Sequence, residues 1–290
     1  MIEKLVIGTA QFASNYGISN STGAVESLTA KKILFLANNL GANSIDTAIN
    51  YPDCHKILGE IGVEQFNITT KISEIAKSEK NIPLFIENQI KNSCHDLKVS
   101  TINTILLHRP DQLFESIGEQ IIKSLYECKQ SGLVEKIGIS IYDPKELDYI
   151  HNIFDFDVVQ CPINIFDRRM ELSGQLNKFN KLGKEIHARS IFLQGLLLMK
   201  HDIIPSKFAK WGSLLNKWDK FNNYDHIKKI ETALNYVLSL DEVDKVVIGF
   251  QSEKELEQVS ELFKTKKISI PESLMSNDEL LLNPNNWSKL

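Results

Sequence analysis

The chain lacks most of the features that would assign it a specialised class at once. Its four cysteines, Cys54, Cys94, Cys128 and Cys161, are isolated singletons in 290 residues, with no C-x-x-C pair. That spacing argues against a disulfide framework or a thiolate metal centre and suggests the reduced thiols of a cytoplasmic protein. The histidines His55, His95, His151, His187, His201 and His226 show no ligand spacing, so no metal is expected. No apolar run approaches the roughly 20 residues needed to span a bilayer. The segment Met1 to Ala10 lacks the basic region and long apolar core of a signal peptide, so no membrane association is expected. The net charge is −4, and there is no basic stripe of the kind that neutralises nucleic-acid phosphates. Lys264, Lys266 and Lys267 form only a short cluster at an expected helix end, where the macrodipole favours cations. Low-complexity tracts, linkers and composition breaks are missing as well, so residues 1–290 are read as one domain.

What the chain does have is an alternation, repeated eight times. Apolar, β-branched runs fall at 4–9, 44–48, 66–72, 101–107, 136–141, 157–162, 185–191 and 245–250. Amphipathic stretches separate them near 28–40, 55–62, 83–97, 115–131, 144–153, 174–183, 227–239 and 253–264. The fourth of these places Ile117, Ile121, Ile122, Leu125 and Cys128 on one side of a helix. Most of the strand runs are apolar throughout, as a sheet covered on both faces requires. Eight βα units in a chain of this length predict a single-domain (β/α)8 TIM barrel. The alternative, a doubly wound open sheet, lacks its G-x-G-x-x-G turn, since Gly8 is followed by Thr9-Ala10-Gln11. One long irregular loop is expected at about 193–226, carrying Phe208, Trp211 and Trp218, and a tail without strong period runs over about 273–290.

Asp46, Tyr51, Lys71 and His108 sit at or just beyond the ends of the second, third and fourth strand runs. In a parallel barrel those ends share one face, and a carboxylate, a phenol, an ammonium and an imidazole would converge there. A tyrosine holds its proton at neutral pH, and a nearby ammonium stabilises the phenolate left behind and lowers the phenol's pKa. Asp46 would supply the counter-charge that an ammonium needs in a dry site, and His108 could orient a substrate oxygen. The set suits proton transfer to or from an oxygen. Alone, each of these residues would read as structural.

The run Asp46-Thr47-Ala48-Ile49-Asn50-Tyr51, with Lys71 closing the third strand and His108 the fourth, resembles the aldo-keto reductases. Gly8-Thr9-Ala10, Ile57 to Glu60, Ser131 to Ser140, Val159 to Arg169 and Val247 to Ser252 extend the resemblance over nearly the whole chain. It implies a nicotinamide-dependent oxidoreductase using NADP(H) or NAD(H) on a small carbonyl or alcohol. Tyr51 would be the general acid/base, tuned by Lys71 and Asp46, with His108 positioning the carbonyl. Gln160 and Ser140 would hold the carboxamide, and Phe166 would be the candidate to stack on the nicotinamide ring. Gly8, Thr9 and Asp46 would face the cofactor; Ser190, Leu193 and Gly195 would line its pyrophosphate. Gly249, Gln251, Ser252, Glu255 and Gln258 would take the adenosine end. Phe12, Tyr16, His108 and Trp211 are the candidate substrate contacts. The first βα loop and the Asn-Pro-Asn-Asn-Trp tail resemble a bacterial branch associated with carbohydrate or surface-polysaccharide metabolism, which implies a sugar or nucleotide-linked sugar. A monomer or small homo-oligomer is expected.

Several positions depart from the family pattern. Ile141 follows Ser140 where an asparagine is usual, and Pro52 follows Tyr51 where glycine is usual. Glu255 stands where an arginine often grips a 2′-phosphate, and the first strand starts too near Met1 for the N-terminal hairpin of many members. Ser252 and Glu255 read as a capping box, with the glutamate reaching back to the cap amide. Two other classes stay open: a nicotinamide-binding regulatory or sensing barrel with vestigial turnover, and an isomerase or lyase using Tyr51 and Lys71 without net redox change.

Overall fold

The computed structural model describes residues 1–264 and 268–290, so Lys266 and Lys267 of the basic cluster lie outside the described residues. Eight strands form a closed barrel in sequence order: β1 (Leu5–Gly8), β2 (Ser44–Asp46), β3 (Asn67–Ile72), β4 (Ile102–Leu107), β5 (Val134–Ser140), β6 (Val158–Pro162), β7 (Glu185–Arg189) and β8 (Lys245–Gly249). Every neighbouring pair is parallel, and the ring closes where Leu5 meets Val246 and Gly8 meets Gly249. The near-continuous burial of β1, β3, β4 and β6 explains their apolar runs: one face fills the barrel and the other meets a helix. A single 3-10 turn, Ile2–Lys4, precedes β1.

The outer layer is α1 (Ser27–Leu40), α2 (Cys54–Ile61), α3 (Ile82–Leu97), α4 (Gly118–Gln130), α5 (Glu146–His151), α6 (Gln175–Lys181), α7 (His226–Leu238) and α8 (Glu253–Leu262). These match the amphipathic stretches to within a few residues, and side-chain caps set several of their starts. Asn81 caps α3 by accepting from Leu84 N at 3.2 Å, and Asp225 caps α7 by accepting from Lys228 N at 3.1 Å. On α4, Ile121, Leu125 and Cys128 are buried as the period requires, while Ile122 is only partly covered.

The segment 193–226 is less irregular than the sequence suggests. Three 3-10 turns (Leu193–Leu198, His201–Ile203, Ser206–Trp211) lead into a ten-residue helix, Gly212–Phe221. Its aromatics are structural. Trp218 is buried and donates to Leu197 O at 2.7 Å, and Trp211 donates to Asp278 Oδ2 at 3.1 Å. The tail clasps the mouth end of the barrel: Ser276 N bonds Phe166 O at 2.9 Å, Trp287 packs edge-on against Phe208 at 4.9 Å, and Lys207 Nζ donates to Trp287 O at 3.1 Å.

Candidate active site

Period-two alternation places Asp46, Lys71, Gln160 and Arg189 on the inner faces of β2, β3, β6 and β7, near their C-terminal ends. Two contacts between non-adjacent strands establish this. Gln160 Nε2 on β6 donates to Asp46 Oδ2 on β2 at 2.7 Å, which crosses the barrel interior. At the floor, Lys136 on β5 pairs with Glu185 on β7, so Glu185 points inward, and with it every second residue: His187 and then Arg189.

The Lys71 ammonium sits 2.6 Å from Asp46 Oδ1 and donates to Thr47 O at 3.0 Å, with Lys71 and Asp46 both buried. Both carboxylate oxygens of Asp46 are therefore used, one by Lys71 and one by Gln160. Burial pushes the Lys71 pKa down, and the Asp46 charge works against that shift. Tyr51 follows a turn in which its amide bonds Ala48 O at 3.1 Å, after Ile49 N has bonded Lys71 O at 3.2 Å. That turn ties the tyrosine to the mouth end of β3. Desolvation, then the Asp46 and Tyr16 groups, raise the Tyr51 pKa well above the ordinary phenol value. The sequence suggested the reverse, a phenol lowered by Lys71. Burial and the Asp46 charge outweigh whatever lowering the ammonium supplies, so the tyrosine is held protonated. His108 follows β4, its amide bonded to Ile72 O at 3.3 Å, and burial with the Lys71 and Arg189 charges lowers its pKa to about 4. Its imidazole is thus neutral at physiological pH. Among the described residues, no protein group hydrogen-bonds the Tyr51 hydroxyl or the His108 ring.

The residues expected to hold a nicotinamide dinucleotide fit it in part. Gln160 Oε1 is buried and has no hydrogen-bond partner among the described residues, so it can accept from a carboxamide NH₂. Ser140 lies beside Gln160 in register on β5. After β7, Ser190, Leu193, Gln194 and Gly195 all take left-handed backbone conformations, φ 59, 48, 52 and 91°. Leu193 is itself fully buried, so only its backbone could meet a phosphate. A Cβ on Gly195 would stand 1.9 Å from Ser19 Oγ, so this turn meets the first βα loop in a way that only glycine permits. That loop crosses the mouth: Ile18 N bonds Gln194 O at 3.1 Å, and Thr22 contacts Gln251. Gly8 pairs with Gly249 at the closure, and Thr9 Oγ1 bonds Asp46 O at 3.1 Å. Ser252 caps α8 by accepting from Glu255 N at 3.3 Å, but Glu255 Oε2 accepts from Gln251 N at 2.7 Å and not from the cap amide. The glutamate therefore braces the β8 loop one residue upstream of the expected place. Gln258 is half-buried on the same helix.

Three aromatic assignments change. Phe12 is 1% exposed within the core cluster and is not available as a substrate contact. Trp211, 7% exposed and held by Asp278, belongs to the tail clasp. Phe166 is fully buried, with Trp218 edge-on at 6.3 Å, so it packs the core and leaves no face for a nicotinamide. Tyr16 does reach the mouth, partly exposed, its hydroxyl accepting from Gln194 Nε2 at 3.2 Å. Two residues went unnoticed in the sequence, Tyr142 and Arg189. The Arg189 guanidinium lies 4.1 Å from the Tyr142 ring centroid and donates to Ile141 O at 2.9 Å. A polar residue ending an apolar strand was the signal that found the other site residues, and it applied equally to Arg189.

The family model described as the aldo/keto reductase family matches residues 4–273. Aldo-keto reductase YhdN of Bacillus subtilis is 24% identical over 270 residues, covering 83% of this chain and 80% of that protein. Among solved structures, aldo-keto reductase AKR11C1 from Bacillus halodurans, in its holo form, superposes with a TM-score of 0.73 at 19% identity, over 92% of this chain and 88% of that one. The glycerol dehydrogenase AKR11B4 from Gluconobacter oxydans gives 0.71 at 21% identity, over 91% and 88%.

Proposed function

The chain belongs to the aldo/keto reductase family, and on that premise we propose that it interconverts a small carbonyl compound and its alcohol with NAD(P)(H), Tyr51 serving as general acid/base. The observation that carries this reading is the buried Lys71–Asp46–Gln160 network beside a protonated tyrosine and a neutral histidine at the barrel mouth. A bound nicotinamide supplies or accepts the hydride. The neutral His108 ring donates a hydrogen bond to the carbonyl oxygen and fixes its direction. Tyr51, held protonated, releases its proton only to an oxygen that is becoming an alkoxide, so acid and base stay matched to the reaction. As the phenolate forms, the Lys71 charge stabilises it, while Asp46 and Gln160 keep the ammonium in place. The free Gln160 Oε1, Ser140, the left-handed turn after β7 and the start of α8 would hold the cofactor. The glycerol dehydrogenase among the structural neighbours supports a polyhydroxylated or sugar-derived substrate, and the four free, buried cysteines support a cytoplasmic setting.

The experiment is a fluorescence titration with NADH and NADPH, followed by turnover of an aldehyde and ketone panel. Both cofactors should bind, and carbonyl-dependent oxidation should follow; no binding at millimolar cofactor would remove the redox reading. Glu255 and Glu253 flank the adenosine end without an arginine, so NADPH should be favoured by less than about a hundredfold, or NADH outright. Glu255→Arg should move the ratio towards NADPH. The same altered positions favour one second reading, a nicotinamide-binding sensor, which tight binding without turnover across the panel would select.

A further inference from the structure

We propose that His55 is a positioning residue for the reaction: through Thr70 it fastens the turn that carries Tyr51 to the strand that carries Lys71, and so sets how closely phenol and ammonium work together. The proposal rests on the carbonyl-reductase reading and adds a residue to its machinery.

Three observations support it. First, His55 reaches the right strand. It is the second residue of α2, 7% exposed, and its Nε2 shares a hydrogen bond with Thr70 Oγ1 at 3.0 Å. Lys71 points into the barrel, so Thr70, its neighbour on β3, points outward to meet the helix. Ile49 N binds Lys71 O at 3.2 Å before the tyrosine, and His55 binds Thr70 after it. Tyr51 is therefore slung between two fastenings to one strand. Second, the other fastening of this turn leads elsewhere. Cys54 N bonds Tyr51 O at 3.2 Å, and its buried thiol donates to Thr9 Oγ1 at 3.3 Å and accepts from Thr47 Oγ1 at 3.5 Å. Those bonds tie the turn to the ends of β1 and β2 and leave its far side to His55. Third, neither backbone preference nor close packing fixes the turn. Asp53, between Tyr51 and α2, has φ 53°, a left-handed conformation that a residue with a Cβ keeps only where its surroundings impose it. Behind the turn lies a cavity of about 190 Å³ lined by Tyr51, Cys54, His55, Gln89 and Ser93, and the buried Gln89 Oε1 has no partner among the described residues. With that space on one side, hydrogen bonds rather than interlocked side chains hold the tyrosine in place.

His55 can do this at neutral and alkaline pH because it carries no charge there. Burial, opposed by Asp96 on α3 and reinforced by Lys71, lowers its pKa to about 4. A neutral imidazole leaves the Lys71 charge to the phenolate, and it does not titrate where the tyrosine does. A change in alkaline pH dependence on altering His55 therefore reports the phenol and its ammonium.

The test compares His55→Leu, which keeps bulk but removes the hydrogen bond, with Thr70→Val, which removes the other partner with little change of shape. In either variant kcat should fall about 10- to 100-fold, with KM and NAD(P)H affinity held within about threefold. The double variant should lose no more than either single one, and His55→Gln, which restores an N–H, should recover part of the loss. In alcohol oxidation, which needs the phenolate, the pH of half-maximal rate should rise by at least about 0.5 as Tyr51 draws back from Lys71. A fall in kcat at an unchanged pH of half-maximal rate, or one matched by a fall in cofactor-binding sites, would make His55 merely structural and overturn the proposal. An unchanged kcat would do the same. Amide exchange requires no turnover: Tyr51 and Cys54 should exchange about tenfold faster or more in both variants, with α3 unaltered. Should His55→Leu not fold, Thr70→Val carries both readouts. Faster exchange in a protein whose wild type reduces no carbonyl would count against the proposed reaction and leave the fastening standing. Unchanged exchange overturns the proposal whatever the turnover.

Discussion

The two ends of the barrel are built from the same side chains and put to opposite use. At the floor, Glu185 bonds His187 Nε2 at 2.8 Å and contacts Lys136: lysine, carboxylate and histidine bind one another. At the mouth, Lys71 and Asp46 pair in the same way, but His108 and Tyr51 are left without protein partners among the described residues. The floor is a network of side chains spent on one another, its carboxyl group held at about pKa 2, first by the histidine bond, although His187 Nδ1 is buried without a partner among the described residues. The mouth is an open one, its donors oriented but unspent. Identical residue types can close a barrel or operate it, and the difference lies in which hydrogen bonds are left for something else.

The largest expected effect that separates the two is Lys71→Met. Removing one partner of a buried pair strands Asp46, so unfolding free energy should fall by about 3–5 kcal/mol in urea titrations, with near-complete loss of turnover. Its floor counterpart, Lys136→Met, removes a half-exposed lysine and should cost at most about 1 kcal/mol with kcat unchanged. Equal costs at the two ends would erase the contrast. Tyr51→Phe comes next: kcat should drop about 10²–10⁴-fold while stability and cofactor binding hold. Retention of more than about a tenth of wild-type kcat would mean that the hydroxyl is not the proton donor.

The smallest effect is in acid titration, where the two ends should respond in different windows. His108 and His55, both lowered from 6.5 to about 4 chiefly by burial, refuse protons that the unfolded chain accepts. Stability should therefore rise with pH between about 4 and 6.5 and be lost on acidification through that range. Glu185, lowered from 4.5 to about 2, contributes stability above its unfolded value and loses it as pH falls from 4.5 towards 2. Denaturation midpoints measured against pH should show the upper slope flattened in His108→Gln and the lower one preserved. A slope untouched by that substitution would place the effect elsewhere.

The barrel was legible because eight strand runs are continuously apolar and eight helical stretches carry a clean period; burial on both faces writes itself into composition. The catalytic constellation was legible for a related reason, since polar residues are conspicuous where an apolar strand ends. What escaped depended on packing that no period encodes. Phe12, Phe166 and Trp211 sit in connecting segments near the mouth, yet each turns into the core or the tail clasp. An aromatic ring near a pocket gains more by burial than by waiting for a ligand, and sequence position does not reveal which it has done. The direction of the Tyr51 shift escaped because its largest cause is desolvation, and how deeply that ring is buried is a tertiary fact.

The ring closes only where β8 finds β1, joining the two ends of the chain through Leu5 and Val246. Lys4 Nζ bonds Val243 O at 2.6 Å and Lys245 Nζ bonds Glu3 O at 2.8 Å along that seam. In kinetic terms this is the strand pairing of highest sequence separation, and its loop entropy is lost before its hydrogen bonds can form. Until it forms, β1 and β8 are bare edges, each an invitation to a strand from another chain. The seam is thus where refolding yield should be most sensitive to protein concentration, even though in the finished barrel it is paired along the whole of β1.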